Sequence, residues 1–270
     1  MKSTLIKMEC LTDLHVDSGE SNYNIVDNEV QKDLILNPII RSSGVKGAMR
    51  EHFESILDTP TVNKIFGAPS TSDKANGGGL FKFFDAKFVA RPLRLADSIH
   101  PSTLVTTVDV LNEMLYLLNC FNCNPCGISK VNTPNFGENN FLATNNLGER
   151  TKVEGEATGV LAQNEEAEFQ TLRCFLGDTF AIAKTLDPSS YPLPVTARNK
   201  VGDDNNLWYE EVVPAKSIFF TLILSPDDEE MLDFAGKGKI IQFGGNASIG
   251  RGFTKCEVLS IPAAQDGGAE

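Results

Sequence analysis

Apolar and polar positions alternate at the start of the chain: Ile6, Met8, Cys10 and Leu14 face one way, Lys7, Glu9 and Asp13 the other. That is the period-two pattern of a half-buried strand. From Val16 to Leu34 the pattern is lost in a long polar loop that carries Ser18-Gly19-Glu20-Ser21-Asn22 and Asp27-Asn28-Glu29, and long ordered loops tend to be functional. After Pro38-Ile39-Ile40 the period changes. Val45, Ala48, Met49, Phe53, Ile56 and Leu57 recur three and four apart, predicting a helix that begins near Gly44 and buries one stripe. Ser42 or Ser43 is placed to cap its first amides.

Further on, Phe81, Phe83 and Phe84 open an aromatic strand that runs past Asp85-Ala86-Lys87 to Leu95. Thr106 or Thr107 caps a helix with Val108, Leu111, Leu115 and Leu118 on one face, and Asp178 to Leu186 reads as a short helix. Residues from about Val131 to Glu168 are rich in Asn, Gly and Glu and read as an insertion with little core of its own. Ser217 to Leu224 is almost wholly apolar, as in a strand covered on both faces. Ser225-Pro226-Asp227-Asp228-Glu229 has the cap, first-turn proline and acids of a helix start, and Lys239 to Phe243 reads as another strand. Strand, helix, strand at each end predicts an α+β protein with a ferredoxin-like core, the material between being insertions and arms.

Composition narrows the partners. The 270 residues can bury one sizeable core. No run approaches the roughly 18 apolar residues of a membrane span, and Met1 to Thr4 lead straight into a strand pattern without a signal-peptide core, so the expectation is a cytoplasmic protein away from membranes. Six cysteines in a chain of this length read as reduced thiols, not a disulfide framework. A net charge of −12, with 24 basic against 36 acidic residues, argues against unspecific attraction to nucleic acid. Basic residues nevertheless cluster at Arg41/Lys46/Arg50, Arg91/Arg94, Arg198/Lys200 and Arg251/Lys255, which leaves room for a local groove on an acidic body.

Three stretches carry candidate chemistry. The helix start at Ser42-Ser43-Gly44 with Arg41, Lys46 and Arg50 around it suits an anion, because free amides and cations converge there; a surface helix with an ordinary cap is the plain alternative. Phe243-Gly244-Gly245-Asn246-Ala247-Ser248-Ile249-Gly250-Arg251-Gly252-Phe253 lets a ligand or a second backbone come close. It is no dinucleotide fingerprint, which needs a following helix and an acid about 20 residues on; the 18 residues after Gly252 read as a strand and a tail. Cys120, Cys123 and Cys126 have spacing compatible with zinc but lack an obvious fourth ligand, for which Cys174 or His100 is available; three reduced thiols at a helix end are the plain reading.

Taken in order, the acidic loop, Pro38-Ile39-Ile40 and Ser42-Ser43-Gly44-Val45-Lys46-Gly47-Ala48-Met49-Arg50 resemble the RAMP superfamily of CRISPR proteins, with Arg41 in place of part of the usual Pro-Gly and Val45 in place of Leu. The glycine-rich stretch is similar to the loop that closes that domain. Ile65-Phe66-Gly67, Phe84-Asp85-Ala86, Arg91-Pro92-Leu93-Arg94, Val105-Thr106, Leu207-Trp208-Tyr209-Glu210-Glu211 and Val213-Pro214-Ala215 resemble the backbone subunits of the type III-B (Cmr) effector complexes more than the shorter Csm equivalents.

The resemblance implies a single RAMP domain over 1–270 with an RRM-like core, an insertion at about 120–170 and a β-hairpin thumb at about 192–214. It also implies a subunit that polymerises with copies of itself and other Cmr subunits along a guide RNA. Such a subunit cuts the paired target RNA at regular intervals by metal-dependent attack of the target's own 2′-hydroxyl. Asp27 is then the catalytic acid and a ligand of magnesium or manganese, Asp33 its less favoured substitute, and His15 and Glu210 supporting residues. RNA contacts fall to Arg41, Ser42, Ser43, Lys46, Arg50, Arg198, Gly244, Gly245, Gly250, Arg251 and Gly252. A purely structural guide-RNA-binding subunit is the rival reading, and a small-ligand α+β protein a third.

Overall fold

The computed structural model describes residues 1–19, 26–68, 78–98, 100–144, 151–160, 169, 171–200, 206–228, 232 and 239–259. Its elements are β1 (Lys2–Cys10), β2 (Ile39–Ile40), α1 (Ser42–Glu54), α2 (Thr59–Phe66), β3 (Lys82–Phe83), β4 (Ala86–Ala96), β5 (Ser102–Thr107) and α3 (Val108–Cys120). They continue with β6 (Phe141–Ala143), β7 (Lys152–Val153), β8 (Glu156–Val160), α4 (Arg173–Leu176), β9 (Phe180–Ala183), β10 (Val195–Lys200), β11 (Asn206–Glu211), β12 (Ile218–Ser225), β13 (Ile240–Gln242) and β14 (Phe253–Leu259). The predicted helix after Ser225 lies largely outside the described residues.

One large sheet dominates this mixed α+β fold. β1 is an interior strand, antiparallel to β12 with Leu5 opposite Leu222 and to β14 with Leu5 opposite Leu259. Alternation along the strands sends side chains to two separate cores. Ile6, Met8, Phe219 and Ile223 meet Val45, Met49 and Phe53 of α1 and Val62, Ile65 and Phe66 of α2. Leu5, Ile218, Phe220 and Leu222 meet Leu111, Met114, Leu115 and Leu118 of α3, with Phe169, Leu172 and Phe175 beneath. β12 is therefore apolar on both faces because helices cover both, as its composition predicts. Among the described residues no helix is long and apolar enough to cross a membrane.

β4 belongs to two structures. Its first half pairs with β12 and β2; its second half pairs with β5 and β7 and closes a ring of β4, β5, β9, β6, β8 and β7. Leu93, Leu95, Val105, Phe141, Val153 and Ala181 fill the ring. Two expectations change here. Phe180–Ala183 is a strand, not part of a helix, because its four buried residues pair in parallel with Leu104–Thr107 and antiparallel with Phe141–Ala143. The stretch from Val131 onward contributes core after all: Val131, Phe136, Phe141, Leu142 and Ala143 are buried.

α1 starts where the apolar period places it, but its cap comes from elsewhere. Arg41 is the N-cap residue and caps nothing with its side chain. Asp85, next to β4, instead accepts from the Ser42 amide at 2.6 Å and pairs with Arg41 at 3.3 Å. Thr107 caps α3 through the Val110 amide, as predicted.

Candidate functional site

The polar loop after β1 is zipped to itself and to the base of a hairpin. Asp17 bridges Val30, Gln31 donates its amide to Val16 O at 2.8 Å, and Leu14 exchanges both amide bonds with Val213 at 2.8 Å. The hairpin is β10 paired with β11, Arg198 opposite Trp208 and Thr196 opposite Glu210, its tip from 201 to 205 lying outside the described residues. Against β11 lies Asp27. The Tyr209 amide donates to Asp27 Oδ2 at 2.7 Å, the Asp27 and Asn28 amides donate back to Tyr209 O, and the Glu211 amide donates to Asn28 O at 2.9 Å. Asp27 is exposed, and its Oδ1 has no partner among the described residues. A carboxylate held by one oxygen with the other facing solvent is positioned to receive a hydroxyl, a phosphate-bound water or a cation.

Side chains alternate along β11, so Glu210 and Glu211 serve opposite sides. Glu211 accepts from the Val30 amide at 3.1 Å and from Lys32 Nζ at 2.9 Å, fixing the far end of the Asp27 loop. Its backbone carbonyl lies 2.7 Å from His15 Nδ1. With a carbonyl as partner, Nδ1 must be the protonated nitrogen. His15 itself is buried.

Glu210 is buried under four donors. Arg251 Nη1 lies 2.6 Å from Oε2 and Arg198 Nη1 3.1 Å from Oε1, while Trp208 Nε1 donates at 2.8 Å and Asn246 Nδ2 at 3.2 Å. Arg198 also stacks over the Trp208 ring, 5.2 Å from its centroid. Burial opposes ionisation of Glu210, but the Trp208 indole and the Arg198 guanidinium outweigh it, with His15 adding, and hold its carboxyl below the usual range. This cluster joins the hairpin to the glycine-rich stretch, which is seated directly on His15. The Gly245 amide donates to His15 O at 2.9 Å, and a Cβ on Gly244 would stand 2.2 Å from that oxygen. At Gly252, φ is +79° and a Cβ would stand 1.9 Å from Phe243 O. Glycine is therefore required at both places by contact with backbone, not by a ligand. Between them Asn246 and Gly250 take left-handed backbone around a short turn at Ala247–Ile249.

The structure thus brings His15, Asp27, Arg198, Glu210, Gly244, Gly245, Gly250, Arg251 and Gly252 into one region. The residues at the start of α1 divide. Ser43 is exposed, and Lys46 has no ion-pair partner among the described residues. Arg41 and Ser42 engage Asp85. Arg50 is consumed within the fold, donating to Glu54 at 2.7 Å, Gly67 O at 2.6 Å and Asn63 at 3.2 Å, which ties α1 to α2. Sequence reasoning missed Glu211, Lys32 and Asn246, whose partners lie up to 196 residues away. Asp33 holds the turn 33–37, accepting from the Ile35 and Asn37 amides.

The three thiols are not brought together. Cys120 is exposed, Cys123 turns into the core and donates to Leu118 O, and Cys126 lies 3.4 Å from Cys174. Among the described residues no three His, Cys, Asp or Glu side chains form a group able to hold a metal ion. The donors at hand fit a magnesium-type ion only if a substrate completes the sphere, since Asp27 offers one open carboxylate oxygen.

The RAMP superfamily model matches residues 7–255, and the chain belongs to that superfamily. A Pyrococcus furiosus protein, "CRISPR system Cmr endoribonuclease Cmr4", is 27% identical over 97% of both chains. "CRISPR system CMR subunit Cmr4" of Saccharolobus solfataricus is 24% identical over 94% of this chain and 95% of its own. The fold is also that of oligomeric Cmr4 from Pyrococcus furiosus, with a TM-score of 0.72 at 23% identity over 97% of this chain and 99% of the other.

Proposed function

We propose that this chain is a backbone subunit of a type III-B CRISPR effector, which assembles with copies of itself and other Cmr subunits along a guide RNA and cuts the paired target RNA. The observation that carries this is Asp27: an exposed carboxylate clamped by the Tyr209 amide, with its second oxygen open, in a RAMP chain whose curated relative is named an endoribonuclease. The order β14–β1–β12–β4 with antiparallel neighbours supports a ferredoxin-like core. The β10–β11 hairpin supports a thumb pressed between guide and target, which sets the interval between cuts.

In the reaction the target's 2′-oxygen bonds to the adjacent phosphorus and the bond to the 5′-oxygen breaks. The hydroxyl's proton is released, the departing 5′-oxygen takes one up, and a cyclic phosphate remains. Asp27 orients the attacking hydroxyl. Lys46, without an ion-pair partner among the described residues, and the open amides of the glycine-rich stretch face the RNA backbone, where contacts fix register without reading sequence. Asp27 would hold a magnesium or manganese ion, whose chemistry there would be charge stabilisation. His15 and Glu210 act from behind: one is buried with Nδ1 committed, the other saturated by four donors, so both position the loop and hairpin. Zinc at the cysteines finds no support in their placement.

Asp27→Ala in the assembled complex should bind guide and target normally and lose cleavage in magnesium or manganese, while Asp33→Ala still cuts. Equal cleavage by wild type and Asp27→Ala would leave the purely structural subunit as the better reading.

A further inference from the structure

Behind the Asp27 loop, on the side that Glu211 faces, lies a half-open cleft of about 160 Å³ lined by Lys32, Phe88, Arg91, Leu186, Tyr191 and Glu211. Two aromatic rings, Phe88 and Tyr191, belong to its lining. Phe88 is edge-on to Phe219 at 5.9 Å, and Tyr191 is edge-on to Phe141 at 5.5 Å. Arg91 is 5% exposed and hydrogen-bonded to the carbonyls of Tyr191 and Pro192, with no carboxylate at ion-pair distance among the described residues. Burial accordingly pulls its pKa down, Glu154 and Glu211 opposing. A buried guanidinium held only by carbonyls is costly to leave against an apolar ligand. It favours a ligand that brings its own acceptors.

Size restricts that ligand further. Small-molecule sites commonly run to about 300–1,000 Å³, whereas an apolar cavity of about 150 Å³ takes a single benzene-sized ring. The volume of this cleft matches one six-membered ring with carbonyl edges. The cleft is also correctly placed. Tyr209, which holds Asp27, and Glu211, which lines the cleft, are two residues apart on β11, about 7 Å along a strand.

We propose that this cleft receives the single-ring base of one unpaired pyrimidine of the target RNA, next to the phosphate at Asp27, seated between Phe88 and Tyr191 with its carbonyl edge toward Arg91 and Lys32. Unstacked bases are held on aromatic side chains and by their edges in this manner. The inference rests on the assignment of Asp27 and names the base its substrate must present. Each target is thereby favoured where a uridine or cytidine falls at that position.

The test uses the full complex carrying Asp27→Ala, so that RNA stays whole. Target RNAs with 4-thiouridine at one position at a time are irradiated, and the crosslinked peptides identified. The position beside the cut should crosslink to the peptide containing Tyr191 or to that containing Phe88. In competition binding to the same complex, short targets with adenosine or an abasic residue there should bind about tenfold more weakly than uridine, within the range that stacking of one base supplies. Pro188 also lines the cleft, and Pro188→Trp, which puts a bulky ring into that lining, should abolish the difference. Crosslinks that map elsewhere, or equal binding of the three RNAs to the complex, would overturn the proposal. Both readouts are independent of cutting. Failure of the Asp27 reading shows separately, as cleavage that survives Asp27→Ala.

Discussion

Replacing Glu210 by alanine tests whether the hairpin is locked to the glycine-rich stretch by charge. The substitution removes the acceptor of Arg251, which is 8% exposed, and of the more accessible Arg198, and it strips Trp208 Nε1 and Asn246 Nδ2 of their partner. Removing one member of a buried pair costs about 3–5 kcal/mol because the other charge is stranded. Arg198 can recover water, so the low end applies, about 3 kcal/mol. For a chain of this size each kcal/mol moves the melting temperature by about 2–4 °C, and Glu210→Ala should melt about 6–12 °C lower at pH 7 by calorimetry. Glu210→Met with Arg251→Met should recover at least half of the loss, since an apolar pair leaves no stranded charge. The folded carboxyl lies below its ordinary value of 4.5, so its stabilisation is complete above that pH and is lost as pH falls through the lower, folded value. The gap between wild type and Glu210→Ala must therefore shrink in acid. A gap below roughly 2 °C at pH 7, the shift expected from under 1 kcal/mol, or one that persists unchanged in acid, would refute the clamp.

Two further outcomes follow from the same contacts. Asp85→Ala exposes the first amide of α1 and frees Arg41; losing a cap costs about 1 kcal/mol, so the denaturant midpoint should fall with an unchanged slope, and an unmoved midpoint would deny Asp85 its capping role. The hydrogen bond between the Cys126 and Cys174 thiols lowers the Cys174 pKa, whereas burial pushes Cys10 up to about 12 and Cys123 up to about 11; iodoacetamide followed by peptide mass spectrometry should find Cys174 modified well before either, and comparable rates in folded protein would contradict the arrangement.

Elements whose cause is local were legible in the chain. The alternation at Ile6, Met8 and Cys10, the helical period from Val45 to Leu57 and the two-sided apolar run of β12 each depend on which face is covered, and covering follows composition. Distant causes were not legible. Two serines at the start of α1 looked sufficient as caps, yet the carboxylate that caps it stands at Asp85, brought there by β2 pairing with β4. Phe180-Ala181-Ile182-Ala183 is too short for its period to decide between helix and strand, and the choice is made by β5 and β6 on either side. Arg50 and Lys46 look alike in sequence, and only the position of α2 shows that one is consumed and the other open. At the site, family resemblance pointed to Asp27 and Glu210, but their different fates arise from partners at Tyr209, Arg251 and Asn246 that no spacing reveals.

What unites the site is the register of one strand. Tyr209 presents backbone to Asp27, Glu210 turns its side chain to Arg251 and the glycine-rich stretch, and Glu211 turns its side chain to Val30 and Lys32 while its carbonyl meets His15. A slip of a single residue would send each side chain to the opposite face, placing a carboxylate against the wrong wall and withdrawing the amide that holds Asp27. Register in a hairpin is weakly specified unless one face is buried or specifically paired. Here the pairing is supplied by Arg198 over Trp208 and by the charges converging on Glu210. The buried network is therefore better understood as fixing where Asp27 stands than as a source of chemistry, and it explains why Glu210, so close to the exposed Asp27, is itself closed to solvent.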